Sequence, residues 1–114
     1  MTTELPNRIL RERIRAIRAE LSKMELICSG TLLERMKTCG KPSCRCATDP
    51  EARHGPYFEW THKRDGKLLH RVVPTDKAEA LRGAIANYQA IQRLLKQWEV
   101  ESEQLIDARF PRKP

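Results

Sequence analysis

No run of about eighteen or more apolar residues occurs in this 114-residue chain, which excludes a membrane-spanning helix of ordinary length. The opening Met-Thr-Thr-Glu-Leu-Pro-Asn-Arg is polar, and no apolar segment of signal-peptide type follows it. A soluble, cytoplasmic protein is therefore expected. Internal repeats and low-complexity stretches are missing as well, so nothing marks a solenoid or a disordered tract. No Cys-x-x-Cys occurs and no alternating strand and helix pattern surrounds the thiols, which speaks against a dithiol oxidoreductase. With 39% hydrophobic and 32% charged residues, the chain has material for one domain, residues 1–114, with a thin core.

What the chain does have is a concentration of metal-ligating side chains. Cys39, Cys44, Cys46 and His54 form a Cys-x4-Cys-x-Cys-x7-His array in a stretch too polar to fold by burial. In a reducing compartment clustered thiols are more often ligands than disulfides. Three Cys and one His supply the tetrahedral set that structural Zn2+ takes, and Gly40 and Pro42 let the chain turn between the first two ligands. Free thiols in a polar loop, with His54 simply preceding the Gly55-Pro56 turn, are the competing reading. Asp49 and Glu51 are the oxygen alternatives to His54, although a Cys3His set suits zinc better. Cys28, in Leu-Ile-Cys, reads as a small buried hydrophobe. His62 and His70 read as solvent-facing or cross-strand residues and rank as reserves. The deaminase pattern, His-x-Glu followed by Pro-Cys-x-x-Cys, is not matched, and four protein ligands leave no position for substrate, so the expected site is structural and the protein is not an enzyme.

Helices are expected on either side of this stretch. Leu10, Ile14, Ile17, Leu21 and Met24 recur at heptad spacing and predict a helix over residues 4–27, capped by Thr3 or Leu5, with Pro6 in its first turn. A second stripe, Leu81, Ala84, Tyr88, Ile91, Leu95, Trp98, Ser102 and Leu105, predicts a helix over 75–109, followed by a tail at 110–114. Between them, residues 55–62 and 67–73 are rich in aromatic and β-branched residues and flank Arg64-Asp65-Gly66, the chemistry of a β-hairpin. Thr31 to Thr38 adds a third strand on this reading, or a helical turn. The expected architecture is α+β: two long helices pairing as an antiparallel coiled-coil hairpin around a zinc knuckle and β-hairpin insert of two or three strands at 31–73. The stripes could instead pair between chains, as a homodimer or with a protein partner.

The net charge of +7 divides as +2 over residues 1–27, +4 over 28–74 and +1 over 75–114. Arg8, Arg11, Arg15 and Arg18 form one stripe on the first helix, to lie along a phosphate backbone or to make i to i+4 pairs such as Arg8 with Glu12. Lys41, Arg45, Arg53, Lys63, Arg64, Lys67 and Arg71 surround the metal and hairpin region, interleaved with Tyr57, Phe58 and Trp60. Together these eleven cations are the expected contacts to DNA or RNA, with the aromatics either stacking on bases or packing a small core.

The string Gly-Thr-Leu-Leu-Glu-Arg-Met-Lys-Thr-Cys-Gly-Lys-Pro-Ser-Cys-Arg-Cys-Ala, followed by Arg-His-Gly-Pro-Tyr and Gly-Lys, resembles a family of short bacterial and archaeal proteins known only as a domain of unknown function. The resemblance covers about residues 30 to 95. It implies a zinc-binding or nucleic-acid-associated accessory protein, met near transposase-like genes. It also supports Cys39, Cys44, Cys46 and His54 as ligands, with Gly55, Pro56 and Tyr57 shaping the hairpin entrance.

Overall fold

The computed structural model describes residues 5–111, in the order α1 (Asn7–Ser22), β1 (Thr31–Lys37), β2 (His54–Arg64), β3 (Lys67–Val73) and α2 (Thr75–Arg109). Short 3-10 turns at Arg45–Ala47 and Pro50–Ala52 interrupt the loop between β1 and β2. The fold is α+β. The chain divides into two compact units, Ile27–Ala86 and the pair of segments Met1–Leu26 and Asn87–Pro114. Among the described residues no helix is long and apolar enough to cross a membrane.

The first unit is an antiparallel sheet of order β1-β2-β3 with the opening turns of α2. Asp65 and Gly66 both have positive φ, 52° and 78°, as a two-residue turn matched to strand twist requires. Side chains alternate along β2, so Phe58, Trp60 and His62 share one face while Tyr57, Glu59 and Thr61 share the other. The first face is covered: Phe58, Trp60 and Val73 pack with Ala78, Leu81 and Ile85 of α2, joined by Cys28 and Leu32. Trp60 Nε1 donates to the Ser29 carbonyl at 3.0 Å, and His62 stacks on Trp60 with ring centres 3.6 Å apart. Phe58 and Trp60 are therefore core residues, and of the three aromatics expected at a nucleic-acid surface Tyr57 alone is exposed. His62 is buried rather than solvent-facing, and burial first, then Arg64 and Arg71, hold it below the ordinary histidine range.

The second face is open, yet it carries a buried carboxylate. Glu59 is only 4% exposed because Arg35, Lys37 and His70 close over it. The hydrogen bond from Lys37, against an opposing contribution from burial and with help from Arg35 and His70, holds the carboxyl below its ordinary range.

The second unit contains α1 and the remainder of α2. Pro6, and not the expected Leu5, caps α1, with its carbonyl alone, accepting from Ile9 and Leu10 N–H; Thr3, the other expected cap, lies outside the described residues. Leu10 and Ile17 are buried. Glu101 is buried as well, with Arg13 Nη1 at 3.6 Å and Gln97 Nε2 donating at 3.4 Å. The expected pairing of two long helices as a coiled-coil hairpin is not what forms. The sheet separates the helices along the chain, and α1 ends at Ser22, well short of residue 27. The heptad stripe of α2 is also divided in use: Leu81 and Ala84 are buried in the sheet unit, whereas Leu95 is 49% exposed and a buried glutamate lies beside the Ser102 seam position.

Two outcomes follow. Leu81→Ala should cost about 2–5 kcal/mol of unfolding free energy and Leu95→Ala no more than about 0.5, although both occupy one stripe. Equal losses by urea denaturation would restore a continuous seam. A carboxylate whose folded pKa is depressed stabilises above its unfolded pKa and loses that contribution as pH falls, so urea stability should decline from about pH 5 downward. Glu59→Gln should flatten this acid limb, and an acid limb unchanged by the substitution would show that Glu59 is not its source.

Candidate metal centre

The β1–β2 pairing brings both ends of the intervening loop together, with Lys37 opposite His54. Cys39 lies two residues beyond β1, and His54 is the first residue of β2. Between them the backbone folds back on itself: Cys44 N–H donates to the Lys41 carbonyl at 3.1 Å, and Ala47 N–H to the Cys44 carbonyl at 3.0 Å. This winding turns Cys44 and Cys46 inward. Cys46 is 2% exposed, Cys44 is half-buried, and Cys39 and His54 are exposed.

The Sγ atoms of Cys39, Cys44 and Cys46 and a ring nitrogen of His54 all lie within 4.8 Å of one another. Cys39 Sγ is 3.5 Å from Cys46 Sγ, and Cys44 Sγ is 3.3 Å from His54 Nε2. The Cys39 N–H also donates to Cys46 Sγ at 3.4 Å, a backbone bond that stabilises negative charge on sulfur. These four residues can hold a metal ion. The oxygen alternatives stand outside the cluster: Asp49 accepts from Glu51 N–H at 3.0 Å and from Arg45 Nε at 3.1 Å, so its carboxylate is occupied in shaping the turn. Cys28 packs against the sheet core, away from the group, and His62 and His70 lie on opposite sheet faces outside it.

Proton affinity is not shared evenly among the thiols. The Cys46 backbone N–H, followed by the Cys46 and Cys39 thiols, holds Cys44 below the ordinary thiol range. Cys46 goes the other way: the Cys39 backbone N–H pulls it down, but burial and the Cys44 and Cys39 thiols together push it up. The backbone and the neighbouring thiols thus favour the thiolate at Cys44, the form in which sulfur ligates a metal, and disfavour it at Cys46.

The expected nucleic-acid contacts are distributed over both units. Arg8 of α1 pairs with Glu12 at 3.4 Å, while Arg11, Arg15 and Arg18 line a cleft of about 160 Å³ with Ile14 and Leu105. In the sheet unit Arg45 is paired with Asp49 at 3.1 Å. Lys41, Arg53, Lys63, Arg64, Lys67 and Arg71 are exposed and form no ion pair among the described residues. Sequence reasoning missed Glu59. Its alternation with Phe58 and Trp60 marks an outward-facing residue, and the side chains that bury it, Arg35, Lys37 and His70, come from β1 and β3.

No curated protein and no solved structure matches the chain. The family model described as Domain of unknown function (DUF6788) matches residues 7–83, more than half the chain and the whole stretch that contains the sheet and the four donors, and the chain belongs to that family.

Proposed function

We propose that this chain is a small non-enzymatic module in which zinc closes the Cys39, Cys44, Cys46 and His54 clasp, and in which the basic surface around the clasp contacts nucleic acid. The convergence of four donor atoms within 4.8 Å of one another carries the metal reading. Zinc bound at about 2.3 Å from sulfur and about 2.0–2.1 Å from nitrogen spaces its tetrahedral donors roughly 3.5–3.8 Å apart. The separations of 3.3 and 3.5 Å lie close to that spacing. Thiolates and imidazole favour zinc over magnesium or calcium, which prefer oxygen ligands. Four protein donors also fill the tetrahedron and leave no position for a reacting water, which supports a structural role.

The nucleic-acid reading is supported by charge and exposure. Lys41 and Arg53 lie in the loop that carries the clasp, Lys63, Arg64 and Lys67 stand at the turn end of the hairpin, and Arg71 stands opposite Trp60. An accessory role beside a mobile element belongs to the same reading and rests on the family resemblance. A second reading, a protein-interaction adaptor or homodimer, is favoured by Leu95, Val100 and Ile106, which are 49%, 53% and 59% exposed on α2.

Protein purified without added metal should contain about one zinc per chain by elemental analysis, and Cys44→Ala should lower both zinc content and thermal stability, since metal-binding energy is folding energy in so small a domain. Metal-free protein with freely reactive thiols at Cys39, Cys44 and Cys46 would refute the clasp. Separately, fluorescence anisotropy should detect labelled DNA or RNA binding at low salt that weakens steeply as salt rises, and Lys63→Ala combined with Arg64→Ala should flatten the salt slope. No binding at low salt would remove the nucleic-acid reading, and a dimer by light scattering would then favour the alternative.

A further inference from the structure

We infer that Glu59 is a positioning residue for the metal centre, clamping an irregularity in the β1–β2 ladder that turns His54 toward Cys44. The inference rests on the metal reading above and adds to it a residue that holds no metal.

The ladder itself shows the irregularity. From Thr31↔Thr61 to Arg35↔Tyr57 the strands pair residue for residue, but the next pair is Lys37↔His54. Met36 on β1 is therefore opposed by two residues of β2, Gly55 and Pro56. Had the ladder continued unbroken, Lys37 would oppose Gly55, and His54 would stand one place further on. Because side chains alternate, a slip of one residue exchanges the faces, so the extra residue places His54 on the face shared by Lys37. There its ring nitrogen reaches Cys44 Sγ at 3.3 Å. Gly55 permits this: its φ is +139°, and a Cβ would lie 2.9 Å from the Arg35 carbonyl oxygen and 3.0 Å from Met36 Sδ.

What holds the slip in place is a single carboxylate. The two residues that bracket it, Arg35 and Lys37, both bind Glu59: Arg35 Nε lies 3.3 Å from Oε2, and Lys37 Nζ contacts Oε1. Lys37 also lies 5.8 Å from the Tyr57 ring centre, beside the last regular pair. His70 closes the third side, with Nε2 3.5 Å from Oε2 and Nδ1 2.9 Å from Thr61 Oγ1. Exposed ion pairs contribute little, but Glu59 is 4% exposed and has exchanged water for the Arg35 and Lys37 cations and the His70 ring. Releasing either cation would leave buried charge under-compensated, so the carboxylate and the slip are stable together. Groups outside the ligand set commonly orient a ligating histidine by bonding its ring. Here the orientation is exerted through strand register, by way of the residue directly opposite His54.

Cobalt(II) provides the readout, because its ligand-field spectrum distinguishes a sulfur-and-nitrogen set from one that has lost the imidazole. Full-length wild type, His54→Ala, Glu59→Gln, Lys37→Met and the core variant Val73→Ala are titrated with cobalt, then with zinc against a chromophoric chelator. Glu59→Gln and Lys37→Met should give spectra shifted toward that of His54→Ala and a loss of zinc affinity of about ten- to a hundredfold. Val73→Ala should be less stable and keep the wild-type spectrum. Wild-type spectra in Glu59→Gln and Lys37→Met overturn the inference, as does a Val73→Ala spectrum that shifts in the same way. Should Glu59→Gln fail to fold, Lys37→Met decides, since its side chain is 42% exposed. Wild type that takes up neither ion overturns the metal reading itself, which is a different failure.

Discussion

The antiparallel pairing of β1 with β2 is the constraint on which the rest of the sheet unit depends. The loop from Thr38 to Arg53 is closed by the Lys37↔His54 pair, which brings the outermost donors, Cys39 and His54, to a common end of the sheet. Closing such a loop costs entropy that grows slowly with length, and the ladder meets that cost before any metal is bound. The 3-10 turns then have a local task, presenting Cys44 and Cys46 inward, and Asp49 fixes the turn between them by accepting from Glu51 N–H. A metal ion added to this arrangement joins donors already near one another. The converse also holds, because an ion that ties Cys39 to His54 stabilises the first pair of the ladder.

The two faces of the sheet solve the burial of polar groups differently. The covered face disfavours the charged form of His62, which stacks on Trp60 and is held below its ordinary range by burial first and then by Arg64 and Arg71. Its Nδ1 has no hydrogen-bond partner among the described residues, which a neutral ring tolerates far better than a charged one. The open face does the reverse. It favours the charged form of Glu59 by placing Arg35 and Lys37 against it beside the His70 ring, and those side chains are themselves half-exposed, so their own desolvation is partial. A carboxylate on a solvated face thus becomes buried without any core around it.

This arrangement explains why some features were legible in the sequence and others were not. Three thiols and an imidazole at close spacing announce their chemistry in one dimension, and Asp65-Gly66 does so for the hairpin, because the demand of each is local. The strand at Thr31–Lys37 lies in a segment that Gly30 and Gly40 bracket in the sequence, which favours the strand over a helical turn there. The helix pairing was misread because a heptad records the spacing of apolar groups and not their partner. Leu81 and Ala84 satisfy that spacing while covering a sheet. Alternation could have separated Tyr57 from Phe58 and Trp60, since adjacent strand residues face opposite ways. Glu59 left no trace of its role, because its partners are 24 and 22 positions earlier and 11 later, and only the ladder brings them together.

A closed donor set and a compensated carboxylate have a common consequence for function. Arg35 and Lys37 are paired with Glu59, and Arg45 with Asp49, so their charge is met within the chain. The cations without an ion pair among the described residues are Lys41 and Arg53 in the loop and Lys63, Arg64, Lys67 and Arg71 on β2 and β3, and the ladder fixes the backbone of the last four. A polyanion attracted to the sheet unit would therefore meet a rigid set of cations, which loses less entropy on binding than a flexible basic tail would. If the chain holds zinc and meets nucleic acid as proposed, the metal would act on recognition without touching the nucleic acid, by stabilising the ladder that carries Lys63, Arg64, Lys67 and Arg71.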